Sequence, residues 1–258
     1  LKQAFQTAKR RNPKLWLSQT EEEVDRIIRL TKAGIVPDNF QSVRDQLLAM
    51  AKAPDQGNQA ERQINEMVRN LIGVKIPGYF NTPPAVVERL MSVADIRPGQ
   101  RVLEPSAGAG DIADAIRAQG VTPDVVEVAS SLRKILEAKH YNIVGYDFLE
   151  YTGGPYDRIV MNPPFENAQE IDHVLHAFKL LAPGGRIVSV MSEGPFFRQD
   201  KKATAFRDFL ESFGYSEPLP AGSFLKSRNS TGVNTRIVVI EKPYSATMSG
   251  IHRLNRAL

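Results

Sequence analysis

Short apolar runs alternate with segments of helical periodicity from Gly73 almost to the end of the chain. This alternation predicts βαβ units, and therefore an α/β fold with a parallel sheet and helices packed against it. Helices are predicted between the strands, for example at residues 111–119 and 168–181. The predicted strands cover residues 101–104, 124–128, 141–146, 158–161, 186–191, 213–219 and 234–241.

Residues 1–75 show a different pattern, which predicts helices throughout. The sequence TEEE at residues 20–23 is a capping box, and Gly34 ends the helix that follows it. Two more helices are predicted at 40–51 and 58–71. The sequence therefore predicts a small all-helical N-terminal domain or cap in front of the α/β domain.

The excess of positive charge lies in this N-terminal segment. Of the 33 Lys and Arg residues, 13 lie at or before Lys75, together with 9 of the 29 Asp and Glu residues, so the net charge of +4 arises there. The basic arm at 1–19 contains no acidic residue. Such an arm is typical of a segment that binds a polyanion, and it is equally compatible with a solvated terminus.

Composition excludes several classes of chemistry. Cysteine is absent, which excludes disulfides, thiolate metal sites and a cysteine nucleophile. No apolar run approaches the roughly 18 residues of a membrane span, and the first residues lack the apolar core of a secretory signal, so we expect a cytoplasmic setting. Because the sequence does not begin with Met, we expect a processed chain or part of a longer one.

A glycine-containing turn follows the first predicted strand, in the sequence VLEPSAGAGDIADAI. Gly108 and Gly110 allow a tight turn that opens into a helix and presents free N–H groups to a ligand. A third glycine is missing, because Ala113 stands in its place, and Glu104 would repel a pyrophosphate. A cationic or zwitterionic ligand therefore fits this turn better than a dinucleotide.

The next three strands also end in polar groups, at the edge where ligands bind in such sheets. Glu127 ends the second strand, where an acid commonly accepts hydrogen bonds from ribose hydroxyls. Asp147 and Phe148 follow the third, where they suit an adenine amine and an adenine ring. The fourth stops at Asn-Pro-Pro-Phe, residues 162–165, because two prolines remove two backbone donors.

This series of strand ends resembles that of class I S-adenosylmethionine-dependent methyltransferases, over about residues 76–242. The resemblance implies a Rossmann-like, mostly parallel seven-stranded sheet with helices on both faces, and S-adenosyl-L-methionine as cofactor. It implies a catalytic domain at 76–242 and a tail at 243–258. The sequence EPSA at residues 104–107 departs from the usual Asp-Pro-Ala-Cys, a conservative change.

The NPPF sequence looks like the motif of enzymes that methylate exocyclic amines of nucleobases, particularly adenine N6, in the gamma order of motifs. The resemblance makes Asn162, Pro163, Pro164 and Phe165 the catalytic loop, in which Asn162 and the Pro163 carbonyl accept the two N–H bonds of the target and Phe165 stacks on the flipped base. YFNTPP at residues 79–84 is similar to the segment that closes over the cofactor. The implied cofactor residues are Tyr79, Thr82, Glu104, Ser106, Gly108, Gly110, Glu127, Asp147, Phe148 and Asn162.

Two further segments are predicted to face the target as polar loops. They combine aromatic rings with cations, as nucleic-acid contacts do. The first contributes Phe196, Phe197, Arg198, Lys201 and Lys202, and the second contributes Phe224, Lys226, Arg228 and Arg236. We expect Phe224 to cover the second face of the flipped base.

DNA is the favoured partner, and several alternatives stay open. Methylation at cytosine C5 is excluded because it needs a thiolate. RNA is the next substrate, protein glutamine is disfavoured by Phe165, and a non-catalytic methyltransferase-like subunit is a further alternative. Little sequence follows residue 242, so we expect one of three outcomes: specificity is short or weak, the N-terminal helices and a partner provide it, or the substrate is folded RNA. We expect no metal site, and we expect His140, His173, His176 and His252 at the surface.

Overall fold

The computed structural model describes residues 27–52, 59–71, 74, 76–225 and 233–244. The predicted capping box at 20–23, the basic arm at 1–19, Lys226, Arg228 and His252 lie outside the described residues. Contacts divide the chain into two compact units, Leu1–Asn58 and Gln59–Leu258. None of the helices in the described ranges is long and apolar enough to span a membrane.

The first unit contains helical residues 27–32 and helix α1 (Pro37–Lys52), in agreement with the helical pattern of the sequence. Helix α2 (Gln59–Arg69) belongs to the second unit. Its residues Met67 and Val68 pack on the buried side chains of Leu132 and Ile135, which explains why this helix groups with the α/β domain.

The second unit alternates strands and helices as predicted. Its helices are α3 (Pro84–Ala94), α4 (Asp111–Ala118), α5 (Ser130–Ala138), α6 (Gln169–Leu180), α7 (Gly194–Phe197) and α8 (Lys201–Phe213). Its strands are β1 (Val102–Glu104), β2 (Asp124–Val126), β3 (Asn142–Gly145), β4 (Tyr156–Met161), β5 (Leu181–Ser192), β6 (Gly214–Pro218) and β7 (Thr235–Glu241).

Within the described residues these strands form one seven-stranded sheet in the order β3-β2-β1-β4-β5-β7-β6. Strands β1 to β5 pair in parallel, whereas β7 is antiparallel to both β5 and β6. The chain runs outward from β1 to β3 and then returns to β4 on the other side of β1. Such a reversal of strand order opens a crevice at the carboxyl ends of the strands.

The core lies on both faces of the sheet. Along β4, Ile159 and Met161 point into one apolar cluster with α6 and α8, whereas Val160 points into the other with α3 and α4. This alternation follows from the two-residue period of a strand and explains why the last three residues of β4, Ile159–Met161, are all apolar. The sheet is therefore covered on both faces, and the carboxyl edge remains for a ligand.

Candidate active site

The crevice between β1 and β4 contains a cavity of about 200 Å³. Its walls come from the carboxyl ends of β1 to β4, the segment 76–82 and the start of α6. The cavity is lined by Tyr79, Thr82, Glu104, Ser106, Gly108, Glu127, Asp147, Phe148 and Asn162, all of which the sequence predicted as cofactor residues. The structure thus brings together groups that are far apart in the sequence.

Gly110, also predicted to bind the cofactor, is not among the residues that line the cavity. It precedes α4 with φ +89°, and a Cβ atom there would lie 3.2 Å from Leu136 Cδ2. The position of that Cβ atom faces α5, so Gly110 determines the shape of the turn and does not line the cavity.

Gly108 brings the turn against Tyr79. It has φ +56°, and a Cβ atom there would lie 2.6 Å from Cε2 of Tyr79. No side chain fits at this distance, so glycine is required for the aromatic ring to cover the turn.

Glu127 fixes the same turn from β2. Its Oε2 accepts a hydrogen bond from the Gly108 N–H at 2.7 Å, and its Oε1 accepts one from the Ala129 N–H at 2.8 Å. Burial raises the pKa of Glu127, and these backbone donors oppose the shift. Each carboxylate oxygen has a second lone pair, so Glu127 retains acceptor capacity for a ligand.

Glu104 is the most enclosed acid of the cavity, with 1% of its surface exposed. Its Oε2 has no hydrogen-bond partner among the described residues. Burial raises its pKa well above the ordinary value, and the nearby Asp111 raises it further. A buried acceptor without a partner costs free energy, and a cationic ligand in the cavity would relieve that cost.

Asp147 and Phe148 form the wall after β3. Asp147 is exposed, and its Oδ1 accepts a hydrogen bond from the Leu149 N–H at 2.9 Å. Phe148 is 3% exposed and contributes to the core as well as to the cavity. Exposed apolar side chains at the rim, Val128 and Tyr146, were missed by the sequence analysis.

The NPPF loop follows β4 and lies against the segment before α3. Nδ2 of Asn162 donates to the Phe80 carbonyl at 3.3 Å and to Oγ1 of Thr82 at 3.2 Å. Pro164 lines the cavity beside Asn162, and Pro163 is buried. Phe165 is half-buried against the α3 side of the core, outside the cavity lining.

His173 corrects the expectation that the histidines lie at the surface. It lines the cavity and is 7% exposed, and burial lowers its pKa to about 4. His176 is half-buried and bonds the Tyr151 carbonyl through Nε2 at 2.7 Å, whereas His140 is exposed. The place of His173 in the sequence could have indicated its burial. Helix α6 begins soon after the NPPF loop, and its residues Gln169 and His173, which are one turn apart, both lie in the cavity wall.

The first predicted target loop is mostly helical, forming α7 and the start of α8. Phe196 faces the core, with its ring 6.1 Å from that of Phe206 and 4.6 Å from the Arg236 guanidinium. Its neighbour Phe197 is 69% exposed instead. Of the two rings, Phe197 is therefore the one that is accessible to a ligand, whereas Phe196, predicted as a substrate-binding residue, packs against the core.

The cations of this segment are exposed or partly paired. Arg198 forms an ion pair with Asp200 at 2.7 Å, and Lys202 forms one with Asp172 at 2.6 Å. Lys201 is exposed at the first turn of α8. None of these cations, and neither Phe196 nor Phe197, lines the cavity.

Phe224 is fully buried in the cluster that contains Val190 and Ile237. A ring at 0% exposure presents no face to a base, so the expectation that Phe224 covers the flipped base is not met in this structure. Within the described ranges, no group of three or more His, Cys, Asp or Glu side chains is arranged to hold a metal ion.

Comparison with known proteins agrees with this geometry. A family model described as a methyltransferase domain matches residues 79–224, more than half of the chain. The modification methylase CviBIII of Paramecium bursaria Chlorella virus NC1A is 36% identical over 97 residues, which cover 34% of this chain and 26% of that protein.

A second relative is the "Probable ribosomal RNA small subunit methyltransferase A" of Methanosarcina mazei. It is 26% identical over 118 residues, which cover 43% of this chain and 44% of that protein. The chain thus spans about a quarter of the first curated relative and less than half of the second.

A solved structure from Listeria monocytogenes, assigned as a class I S-adenosylmethionine-dependent methyltransferase, has a TM-score of 0.56 with this chain. The two are 14% identical, and the likeness covers 78% of this chain and 74% of that one, which shows the shared fold. With a matching family model, this fold and a cavity at the carboxyl edge of the sheet, the chain belongs to the methyltransferase domain family, and its cofactor is S-adenosyl-L-methionine.

Proposed function

We propose that this protein transfers a methyl group from S-adenosyl-L-methionine to an exocyclic amine of a nucleobase, with adenine N6 in DNA as the favoured target. One observation carries the proposal: Asn162 of the NPPF loop lines the same cavity as Glu104, Glu127 and Asp147. An amine held by Asn162 would therefore lie beside the methyl donor. The Phe at position 165 supports a nucleobase over a protein glutamine.

The acids of the cavity fit the cofactor. Glu104 provides a buried carboxyl oxygen without a partner, which suits a positively charged ligand. Glu127 and Asp147 provide acceptors for ribose hydroxyls and for an adenine amine. When bound, the cofactor supplies an electrophilic methyl group on a positively charged sulfur.

The NPPF loop holds the amine of the target. Nδ2 of Asn162 is engaged by Phe80 and Thr82, so Oδ1 is turned toward the other side as an acceptor. The carbonyl of Pro163 provides a second acceptor. Two acceptors on one amine favour a pyramidal nitrogen with its lone pair directed at the methyl group. Asn is too weak a base to take the proton, which leaves to water once the N–C bond has formed.

A base in duplex DNA reaches this loop only by leaving the stack, which costs a few kcal/mol. Phe165 follows the two prolines and is half-buried against the α3 side of the core, and we assign stacking on the flipped base to this residue. The exposed Phe197, Arg198 and Lys201 lie on the segment that follows β5, the strand next to β4. We assign the flanking nucleic acid to this surface, where an aromatic ring and two cations suit a base and phosphates.

RNA is the second candidate, and a specific finding favours it. The relative from Methanosarcina mazei bears the name of a ribosomal RNA methyltransferase, and its match covers more of this chain than the match to the modification methylase. The amine chemistry of the NPPF loop is the same for adenine in either polymer.

Transfer of labelled methyl groups to duplex DNA, single-stranded DNA and RNA, followed by nucleoside mass spectrometry, tests the proposal. N6-methyladenine in DNA is the expected product. Label in RNA alone would replace the favoured substrate with the second candidate. Cofactor binding without transfer to any nucleic acid would contradict the proposal and favour a protein substrate or a non-catalytic subunit.

A further inference from the structure

His173 is a cavity residue to which the chemistry above gives no task. It lies on α6 and is 7% exposed, and its ring contacts that of Phe148 at a centroid distance of 5.4 Å. Its Nδ1 is enclosed and has no hydrogen-bond partner in the described part of the chain. A buried polar ring with an unpartnered nitrogen is destabilising, and a hydrogen bond between a ligand and its other nitrogen, Nε2, would offset part of that cost.

The imidazole is neutral at physiological pH, because burial lowers its pKa to about 4 even though Asp147 opposes the shift. A neutral ring carries one proton, on either Nδ1 or Nε2. Because Nδ1 is enclosed without a partner, a proton on Nδ1 would be a buried N–H without an acceptor, which costs more than a bare Nδ1. The proton therefore belongs on Nε2. His173 is a lining residue of the cavity whose enclosed nitrogen is Nδ1, so the N–H donor that it can offer to a ligand is at Nε2.

We propose that His173 is a cofactor-binding residue whose Nε2–H donates a hydrogen bond to N7 of the adenine ring of the cofactor. The inference rests on the cofactor site and on the adenine position assigned above. Asp147, an acceptor, and His173, a donor, flank the same aromatic side chain, Phe148. Adenine presents a donor amine and the acceptor N7 side by side on one edge. Asp147 can accept from the adenine amine while His173 donates to N7, so the two side chains together match this edge of the ring.

Calorimetric binding of S-adenosylhomocysteine and of its 7-deaza analogue, which lacks N7, tests the inference without an activity assay. Each ligand is titrated into the wild-type chain, His173→Phe and His173→Gln. Phe preserves an aromatic contact with Phe148, whereas Gln restores an N–H donor of similar reach. His176→Phe is the matched control, because His176 also contacts the Phe148 ring, at 4.9 Å, but bonds the Tyr151 carbonyl and is not in the cavity wall.

The wild-type chain should bind the 7-deaza analogue about fivefold more weakly than the parent ligand, as expected for one lost hydrogen bond. His173→Phe should bind both ligands equally, at the weaker affinity. His173→Gln should recover part of the preference, and His176→Phe should keep all of it. A wild-type preference that persists in His173→Phe, or no preference in the wild type, overturns the inference. Failure of the wild type to bind the parent ligand would instead overturn the cofactor site itself.

Discussion

Nδ2 of Asn162 donates a hydrogen bond to Oγ1 of Thr82 over 3.2 Å, linking residues 80 positions apart in the chain. Thr82 is 6% exposed, so water does not compete freely for this bond. The NPPF loop is therefore oriented by the segment before α3 as well as by its own prolines. The position of the target amine depends on both segments.

Replacing Thr82 by Val should lower kcat about tenfold, a larger change than the one in the affinity for S-adenosylhomocysteine, because the Asn162 amide loses a nearby acceptor and its Oδ1 is less well oriented. Thr82→Ser keeps the hydroxyl and is the matched control, with kcat close to wild type. Single-turnover methyl transfer and calorimetry measure the two quantities. Equal losses of kcat in both variants would contradict a role for this hydrogen bond.

Gly108→Ala should abolish detectable cofactor binding or weaken it at least tenfold, because the new Cβ atom would clash with Tyr79 at 2.6 Å. Gly99 provides the control, since it also has a positive φ, +85°, but has nothing within 4 Å of an added Cβ. Gly99→Ala should cost about 1 kcal/mol of stability and leave cofactor affinity unchanged. Calorimetry and urea unfolding distinguish the two effects, and equal affinities in both variants would refute the close approach.

Glu104 should make a contribution to the stability of the cofactor-free protein that falls as the pH rises above the ordinary Glu pKa near 4.5. Burial raises the pKa of Glu104, so in that range the folded state binds more protons than the unfolded state. The contribution of Glu104 to the free energy of unfolding then decreases with pH until its folded-state pKa is passed, whereas the lowered pKa of His173 acts in the opposite direction below about pH 6.5 and is present in both proteins compared. Glu104→Gln should show a smaller slope in urea unfolding between about pH 5 and 8. Equal slopes would show that Glu104 does not titrate differently in the two states.

Phe197→Ala should weaken binding of single-stranded DNA about fivefold or more without lowering the thermal midpoint, because an exposed ring contributes stacking and little packing. Phe196→Ala should instead cost about 1–2 kcal/mol of stability, since its ring packs on Phe206. Fluorescence anisotropy at low salt and thermal unfolding separate these outcomes. A larger loss of DNA binding in Phe196→Ala than in Phe197→Ala would assign the nucleic-acid contact to Phe196 instead.

Residues fixed by local backbone chemistry were predictable from the sequence. Glu104 ends β1, and Glu127, Asp147 and Asn162 closely follow the ends of β2, β3 and β4. Parallel strands bring their carboxyl ends to one edge, so these residues meet in the cavity. The pattern of short apolar runs likewise predicted all seven strands of the described sheet, with differences of a few residues at their ends.

Residues fixed by tertiary packing were not predictable. Phe196 and Phe197 are neighbours in the sequence, and only the packing of α7 on α8 decides which ring is buried. Phe224 is an aromatic residue in a polar segment, which gave no sign of its buried position under the sheet. The burial of His173 was not predictable for the same reason, because its ring packs against Phe148, which follows β3.

Asn162→Ala gives the most direct test of the central claim, that the NPPF loop holds an adenine amine beside the cofactor. Cofactor affinity and the yield of N6-methyladenine in DNA are measured together for this variant and the wild type. The account predicts that methylation falls by a factor of about 10² to 10³, as when one positioned catalytic group is removed, while cofactor affinity stays within about twofold. Methylation at the wild-type rate in Asn162→Ala would contradict the account.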